Sequence, residues 1–465
     1  MGRRSHFTVQ PGGQQTVQVK GGQAESVRPG RTEVSRALLK TLIFHFRPRL
    51  VRERTLRFSL TFGLGGMAVV LLCLLFITGI MLKFVYLPIP ERAYESILYL
   101  QSSVPFGRLI RNLHHWSANA LMMVAFLHFL RVFFTGGFLP PRQLNWVVGL
   151  GLLVLVLASN LTGYLLPWDQ LAFWAVTICT GMLEYIPGFG SQLQALLLDG
   201  GDIGPATLSI FFALHTAVLP ACFLLLVPFH FWRIRKAGGL VVPRAPDEDR
   251  EAVGTVVPSM PNLLLRELVV ATVVIAIIML VSVFFDAPLA AKANPGLSPN
   301  PTKAPWYFAG LQEMILHFHP FVAVFAIPVA LVLALLSLPF AGFRTDQAGI
   351  WFISRSGRRL ALTAALIGCL LTSAGILAHA SFLDRSTWLP NLPPVIGNGL
   401  SPAGLIAGGM LVFYLVVRKR CAAERQEAIQ ALFVLMLTVF LVLTITSVWF
   451  RGREMALVWP WAAAG

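Results

Sequence analysis

The apolar positions of this chain fall in long runs separated by polar or basic connections. Nine apolar spans can be counted, near residues 58–84, 112–134, 145–166, 209–232, 264–286, 320–341, 359–381, 402–417 and 428–450. Several are long enough to cross a hydrocarbon core about 30 Å thick. The pattern predicts an all-α integral membrane protein with about nine transmembrane helices. Residues 1–57 are largely polar, rich in Gly, Gln and Arg, with no apolar run leading to a small-residue cleavage site, and read as a cytoplasmic basic tail. Within the tail, Ser35–Phe46 alternates basic and apolar residues, as in a short helix lying on a membrane surface; the alternative is a disordered basic arm. A charged connection over 238–258, with Asp247, Glu248, Asp249 and Arg250, divides a four-helix unit at 58–237 from a five-helix unit at 259–465.

Composition supports the membrane assignment, since 56% of the 465 residues are hydrophobic and only 12% charged. A net charge of +16 would raise the question of nucleic acid in a soluble protein, but here the basic residues sit between apolar runs. Placing the amino terminus in the cytoplasm puts 28 of the 37 Lys and Arg residues on that side, the asymmetry that orients membrane helices. The segment from Tyr164 to Leu214 has no Lys or Arg and fits an outer loop. Cys73, Cys179, Cys222, Cys369 and Cys421 are scattered singly, which suggests neither a zinc site nor a disulfide framework nor a C-x-x-C-H haem attachment.

Histidine carries the chemistry. His114 and His128 lie 14 apart in the second span, and His215 and His230 lie 15 apart in the fourth. Fourteen residues bring a helix back to nearly the same face about 21 Å further along. Two helices so equipped can face each other and offer two bis-histidine sites stacked across the bilayer, and neutral imidazole is a good axial ligand for haem iron. A single intramembrane His is explained by a bond to a neighbouring helix; four at matched spacing need a joint explanation.

The text around these histidines is R-N-L-H-H-W-S-A-N-A from Arg111, L-H-F-L-R-V-F-F-T-G-G-F from Leu127 and T-G-Y-L-L-P-W-D-Q from Thr162, followed by I-P-G-F-G from Ile186, S-I-F-F-A-L-H-T-A-V-L-P from Ser209 and H-F-W-R-I-R-K-A-G from His230. These segments cover 58–240 densely and resemble cytochrome b of the quinol-oxidising cytochrome bc complexes; the 15-residue spacing matches the type found in photosynthetic membranes. The resemblance implies a four-helix bundle with two non-covalent b-type haems, His114 pairing with His215 on the outer side and His128 with His230 on the cytoplasmic side. It assigns Arg111 and Arg131 to haem propionates, the alternative being interface anchors. Gly65 and Gly79, like Gly149 and Gly163, are 14 apart and are assigned to haem clearance, against the alternative of small-residue helix packing.

The second unit carries K-A-P-W-Y-F-A-G-L-Q-E from Lys303. This resembles the family's P-E-W-Y segment, which lines the quinol oxidation pocket, with Trp306 and Tyr307 retained but Ala304 and Pro305 in place of Pro and Glu. Glu313 is then the nearest carboxylate to take a quinol proton, with His317 and His319 as candidate relays and a non-chemical interface role as the alternative. Gly63 stands where some relatives carry a haem-linked cysteine, so no covalent haem is expected. On the cytoplasmic side, Arg235, Lys236 and the tail are candidates to border a quinone reduction site. The resemblance further implies a bacterial inner-membrane complex, dimeric, embedded in membrane lipids, with a separate Rieske-type iron–sulfur subunit and a c-type cytochrome. It also implies quinol:cytochrome c reductase-type activity, with proton translocation. Two readings of other classes are a di-haem membrane anchor of another quinone-linked oxidoreductase and a secondary transporter; the closing W-F-R-G-R-E-M-A-L-V-W-P-W has no role readable from sequence.

Overall fold

The computed structural model describes residues 50–198, 202–245, 255–382 and 391–461. Residues 1–49 of the tail, with its Ser35–Phe46 segment, and the acidic centre of the 238–258 connection lie outside the described residues.

Long apolar runs satisfy their backbone groups internally in a bilayer only as helices. Accordingly nine helices among the described residues are long and apolar enough to cross a membrane, and each coincides with a span read from the sequence. In chain order the elements used below are α1 (Leu64–Lys83), the short α2 (Pro90–Ser102), α3 (Gly107–Phe134), α4 (Gln143–Leu165), the short α5 (Gln170–Gly181) and α6 (Pro205–Lys236). They continue with α7 (Ser259–Phe284), the short α8 (Trp306–His317), α9 (Phe321–Phe340), α10 (Arg355–Ser381), α11 (Ile396–Arg420) and α12 (Arg425–Trp449). The closest pairings are α1 with α3 and α4 with α6 in the first half, and α12 with both α8 and α10 in the second. Helix α7 packs on α1 and α3, joining the halves.

Three of the spans contain a π-helical turn: Leu214–Val218 in α6, Phe321–Ala326 in α9 and Ile396–Leu400 in α11. Each ends two residues before a proline, Pro220, Pro328 or Pro402. Proline has no N–H to give to the carbonyl four residues back, and its ring presses on that carbonyl, so the turn widens. The carbonyl freed by Pro402 is that of Asn398, and it accepts the backbone N–H of His319 at 2.9 Å.

At the end of α3 and the start of α7 the halves are stitched by backbone bonds. Strands β1 (Leu50–Arg52) and β2 (Val256–Pro258) pair antiparallel, tying the entry of the first span to the start of α7. Gly349 N–H donates to Thr135 O at 2.9 Å and Phe352 N–H to Phe134 O at 3.0 Å, fastening the connection between α9 and α10 to the end of α3.

Candidate redox site

Histidines from α3 and α6 face each other at two depths. The pair expected from sequence on the outer side, His114 and His215, has ring centres 6.2 Å apart and planes inclined at 72°. Two imidazoles binding one metal ion from opposite sides, each through a bond of about 2 Å, hold their ring centres about 6 Å apart, a separation that this pair matches. The tautomers agree. His215 Nδ1–H donates to Ser159 O at 3.0 Å. Thr78 spends its hydroxyl hydrogen on Leu74 O at 2.7 Å, so at 2.9 Å it can only accept from His114 Nδ1. With both Nδ1 atoms acting as donors, the Nε2 lone pairs are left for a metal, the way metal-bound histidines are oriented elsewhere.

The π turn of α6 contains His215, which explains a spacing the sequence left odd. A π turn takes one extra residue, so 15 residues from His215 to His230 cover about the rotation that 14 cover from His114 to His128.

The inner pair opens onto a cavity of about 1020 Å³ lined by His128, His230, Gly65, Gly149 and Arg131. Two buried polar atoms on its lining, His230 Nδ1 and Asn145 Oδ1, have no hydrogen-bond partner among the described residues. Buried polar atoms are nearly always satisfied, so this wall fits a bound group. The other basic lining groups are Arg57, Arg142 and Arg266. Arg235 and Lys236, expected from sequence to border this region, are not among the lining residues; Lys236 Nζ lies over the Trp232 ring, 5.6 Å from its centre.

Each of the four glycines meets one of the four histidines. A Cβ would stand 3.6 Å from the His128 ring at Gly65, 3.2 Å from His114 at Gly79, 3.5 Å from His230 at Gly149 and 2.6 Å from His215 at Gly163. In this structure, therefore, the missing side chains leave room for the imidazoles.

The motifs flanking the histidines hold the outer loop between α7 and α8. Arg111 donates from both Nη atoms to Ala287 O and Pro288 O at 2.7 Å each, so the arginine assigned by resemblance to a haem propionate also holds this loop. Asn112 bonds Ser282 O and Ala287 N–H, and Trp116 Nε1 donates to Phe285 O at 2.8 Å. Arg108 grips Asp286, with Asn112 adding a bond, which holds that exposed carboxyl down to about 2. The grip is therefore in place around neutral pH and is lost as pH falls through that value. Beyond Pro167 and Trp168, Asp169 Oδ1 caps α5 through Ala172 N–H at 2.8 Å while Oδ2 accepts Ala290 N–H at 2.9 Å. Gln170 N–H donates to Ala291 O at 2.8 Å, and Ala293 N–H to Trp168 O at 3.1 Å.

That loop delivers Trp306 and Tyr307. Trp306 Nε1 donates to Asn119 Oδ1 at 2.8 Å, and Asn119 lies five residues along α3 from His114. Tyr307 packs on the apolar core shared by α1, α3 and α7, and burial pushes its hydroxyl well above the ordinary value. Cys179 lies within electrostatic reach of it, and burial pushes that thiol up to about 11.

Glu313 lies on another face of α8 from Tyr307. Six residues at about 100° each turn it roughly 120° around α8 from Tyr307. Its carboxylate is fully buried and accepts Arg451 Nε at 3.1 Å and His317 Nε2 at 3.1 Å. Burial alone would raise it, but the bonds from His317 and Arg451 outweigh that and hold it below the usual carboxylate range. A carboxylate so engaged is a weak base. His317 stacks edge-on against His379, ring centres 4.7 Å apart, and His319 against Tyr185 at 5.8 Å.

The family model described as cytochrome b/b6/petB matches residues 53–238. Cytochrome b6 of Acaryochloris marina is 42% identical over 180 residues, which span 39% of this chain and 84% of that protein. The chain belongs to the cytochrome b/b6 family. Cytochrome b6 of Prochlorococcus marinus is likewise 42% identical, with 83% of its length covered. As a cytochrome b/b6 relative the chain is a haem-binding, multi-pass membrane protein, which sets the transporter reading aside. A solved chain titled "Hyperthermophilic respiratory Complex III" has the same fold, with a TM-score of 0.61 over 90% of this chain and 97% of that one, at 23% identity.

Proposed function

We propose that the chain is the cytochrome b subunit of a membrane quinol:cytochrome c (or similar acceptor) oxidoreductase, oxidising quinol at the outer face and passing electrons across the bilayer by way of two b haems, a reaction that contributes to proton translocation. The observation that carries this reading is the junction of Trp306 with Asn119. It sets the P-W-Y segment within about 7.5 Å of helix rise of His114. A di-haem anchor has no need of that junction.

In this reading residues 58–237 form the di-haem bundle and 259–465 supply the quinol side. His114 with His215, and His128 with His230, hold the haems, and Arg131 on the inner cavity wall serves a propionate. When bound, the haems supply one-electron carriers at two depths. Ser159 O and Thr78 Oγ1 fix the ring tautomers of the outer pair. Trp306 and Tyr307 form a wall for an apolar ring and place a hydroxyl beside it, while the α7–α8 loop, held by Arg111, Asn112 and Asp169, excludes water and keeps the wall in register. A Rieske-type iron–sulfur protein, a c-type cytochrome, a second copy of the complex and membrane lipids complete the proposed assembly, in a bacterial inner membrane with the amino terminus in the cytoplasm.

The test is quinol oxidation by membranes carrying the full complex. Tyr307→Ala should lower kcat/KM for quinol by about tenfold or more, with the b-haem spectrum retained. Turnover equal to wild type in that variant contradicts the placement of the quinol site.

A further inference from the structure

The closing segment has a structural partner in the quinol helix. After α12 the chain turns back on itself: Val458 N–H donates to Phe450 O and Gly452 N–H to Ala456 O, both at 2.9 Å, forming a short hairpin through residues 450–458. Arg451 in this hairpin is 6% exposed and Glu313 of α8 is fully buried. The guanidinium grips the carboxylate through Nε and Nη2, and its Nη1 donates to Met455 O at 2.9 Å, so Arg451 secures the hairpin and α8 together. One further bond ties the hairpin, and one the last turn of α12, to the α7–α8 loop. Glu454 N–H donates to Asn300 Oδ1 at 2.6 Å, and Lys303 Nζ donates to Val448 O at 3.0 Å. Between them, Gly310 lets α8 lie directly on α12, where an added Cβ would come within 2.5 Å of Thr444 Oγ1.

From this arrangement we infer that Arg451 is a positioning residue for quinol oxidation: through Glu313 the carboxyl-terminal hairpin fixes the rotation and depth of α8, and with them Trp306 and Tyr307. The inference rests on the proposed quinol site. A buried ion pair suits this task because it is directional and because breaking one side leaves an uncompensated charge that drives the helix to move. It also gives Glu313 a role other than accepting a quinol proton.

The experiment compares quinol oxidation, b-haem content and the pH profile of kcat in membranes carrying the wild-type complex, Arg451→Gln, Glu313→Gln and the double variant. Wild-type membranes that hold b haem but do not oxidise quinol count against the quinol site itself, not against the strut alone. With wild-type turnover present, each single variant should lose about tenfold to a hundredfold in kcat/KM, mostly through a raised KM for quinol, with haem content kept. The double variant, in which two amides can bond each other, should recover most of that loss, and the pH profile should not move. Wild-type turnover in Arg451→Gln overturns the inference. So does a double variant no better than Glu313→Gln with a displaced pH profile, the outcome expected of a proton acceptor. If a single variant fails to accumulate haem, Arg451→Lys, which keeps the charge but lacks the fork, carries the comparison. It should show an intermediate KM increase, and an unchanged KM overturns the inference.

Discussion

Gly163→Ala should abolish the outer haem site and leave the inner one intact. The added Cβ would stand 2.6 Å from Cε1 of His215, well inside van der Waals contact. The ring has little freedom to retreat, because its Nδ1 is bonded to Ser159 O and lies 3.3 Å from Thr162 Oγ1. Overpacking of this kind costs about 1–3 kcal/mol when the neighbour can shift, and here the shift also misaims the ligand nitrogen. Gly65→Ala is the control, since its Cβ would meet His128 at 3.6 Å, an ordinary contact. Visible spectra and haem analysis of the two variants should show about half the haem lost in the first and nearly all retained in the second. Equal haem content in both contradicts the close approach at Gly163.

Asp169→Ala should loosen the α7–α8 loop where it meets α5 and cut quinol oxidation while both haems stay. One carboxylate caps α5 and accepts the loop's Ala290 N–H, and no other side chain replaces both bonds. Loss of an N-cap costs about 1 kcal/mol, and a hydrogen bond to a charged acceptor about 1.5–3 kcal/mol. A fall in thermal stability of a few degrees should accompany a drop in turnover of about tenfold or more, because the loop sets where Trp306 enters the pocket. Asp169→Asn should be milder, since its amide oxygen keeps one acceptor. Stopped or steady-state quinol oxidation against haem content separates the two effects. A variant that loses haem in proportion to turnover points to a role in the bundle fold instead.

How much of this was legible beforehand depends on the range of each interaction. The nine spans were readable because a bilayer imposes length and composition on every crossing helix. His114, His128, His215 and His230 were readable because spacing on a helix is a local property. The π turn at His215 was not read, although its signal was present: Pro220 deprives Thr216 O of its donor, and the odd spacing of 15 asks for one residue to be absorbed. Arg111 was assigned by resemblance to a haem edge, and its hold on the loop went unread because its Nη atoms reach residues 176 and 177 positions away in sequence, a distance no local pattern encodes. The same holds for Glu313 and Arg451, 138 positions apart. There the residue was noticed for its charge while its partner was not, because a free carboxylate and one buried under a guanidinium read alike in sequence.

The measurement that tests the central claim most directly is a redox-titrated visible spectrum of the purified chain with a haem-to-protein ratio, repeated for His215→Leu and His230→Leu. The account predicts two b-type haems with separate midpoint potentials, one disappearing in each variant. A chain without haem, or one whose two signals are lost together or unaffected by these substitutions, contradicts the pairing of α3 with α6 across the membrane.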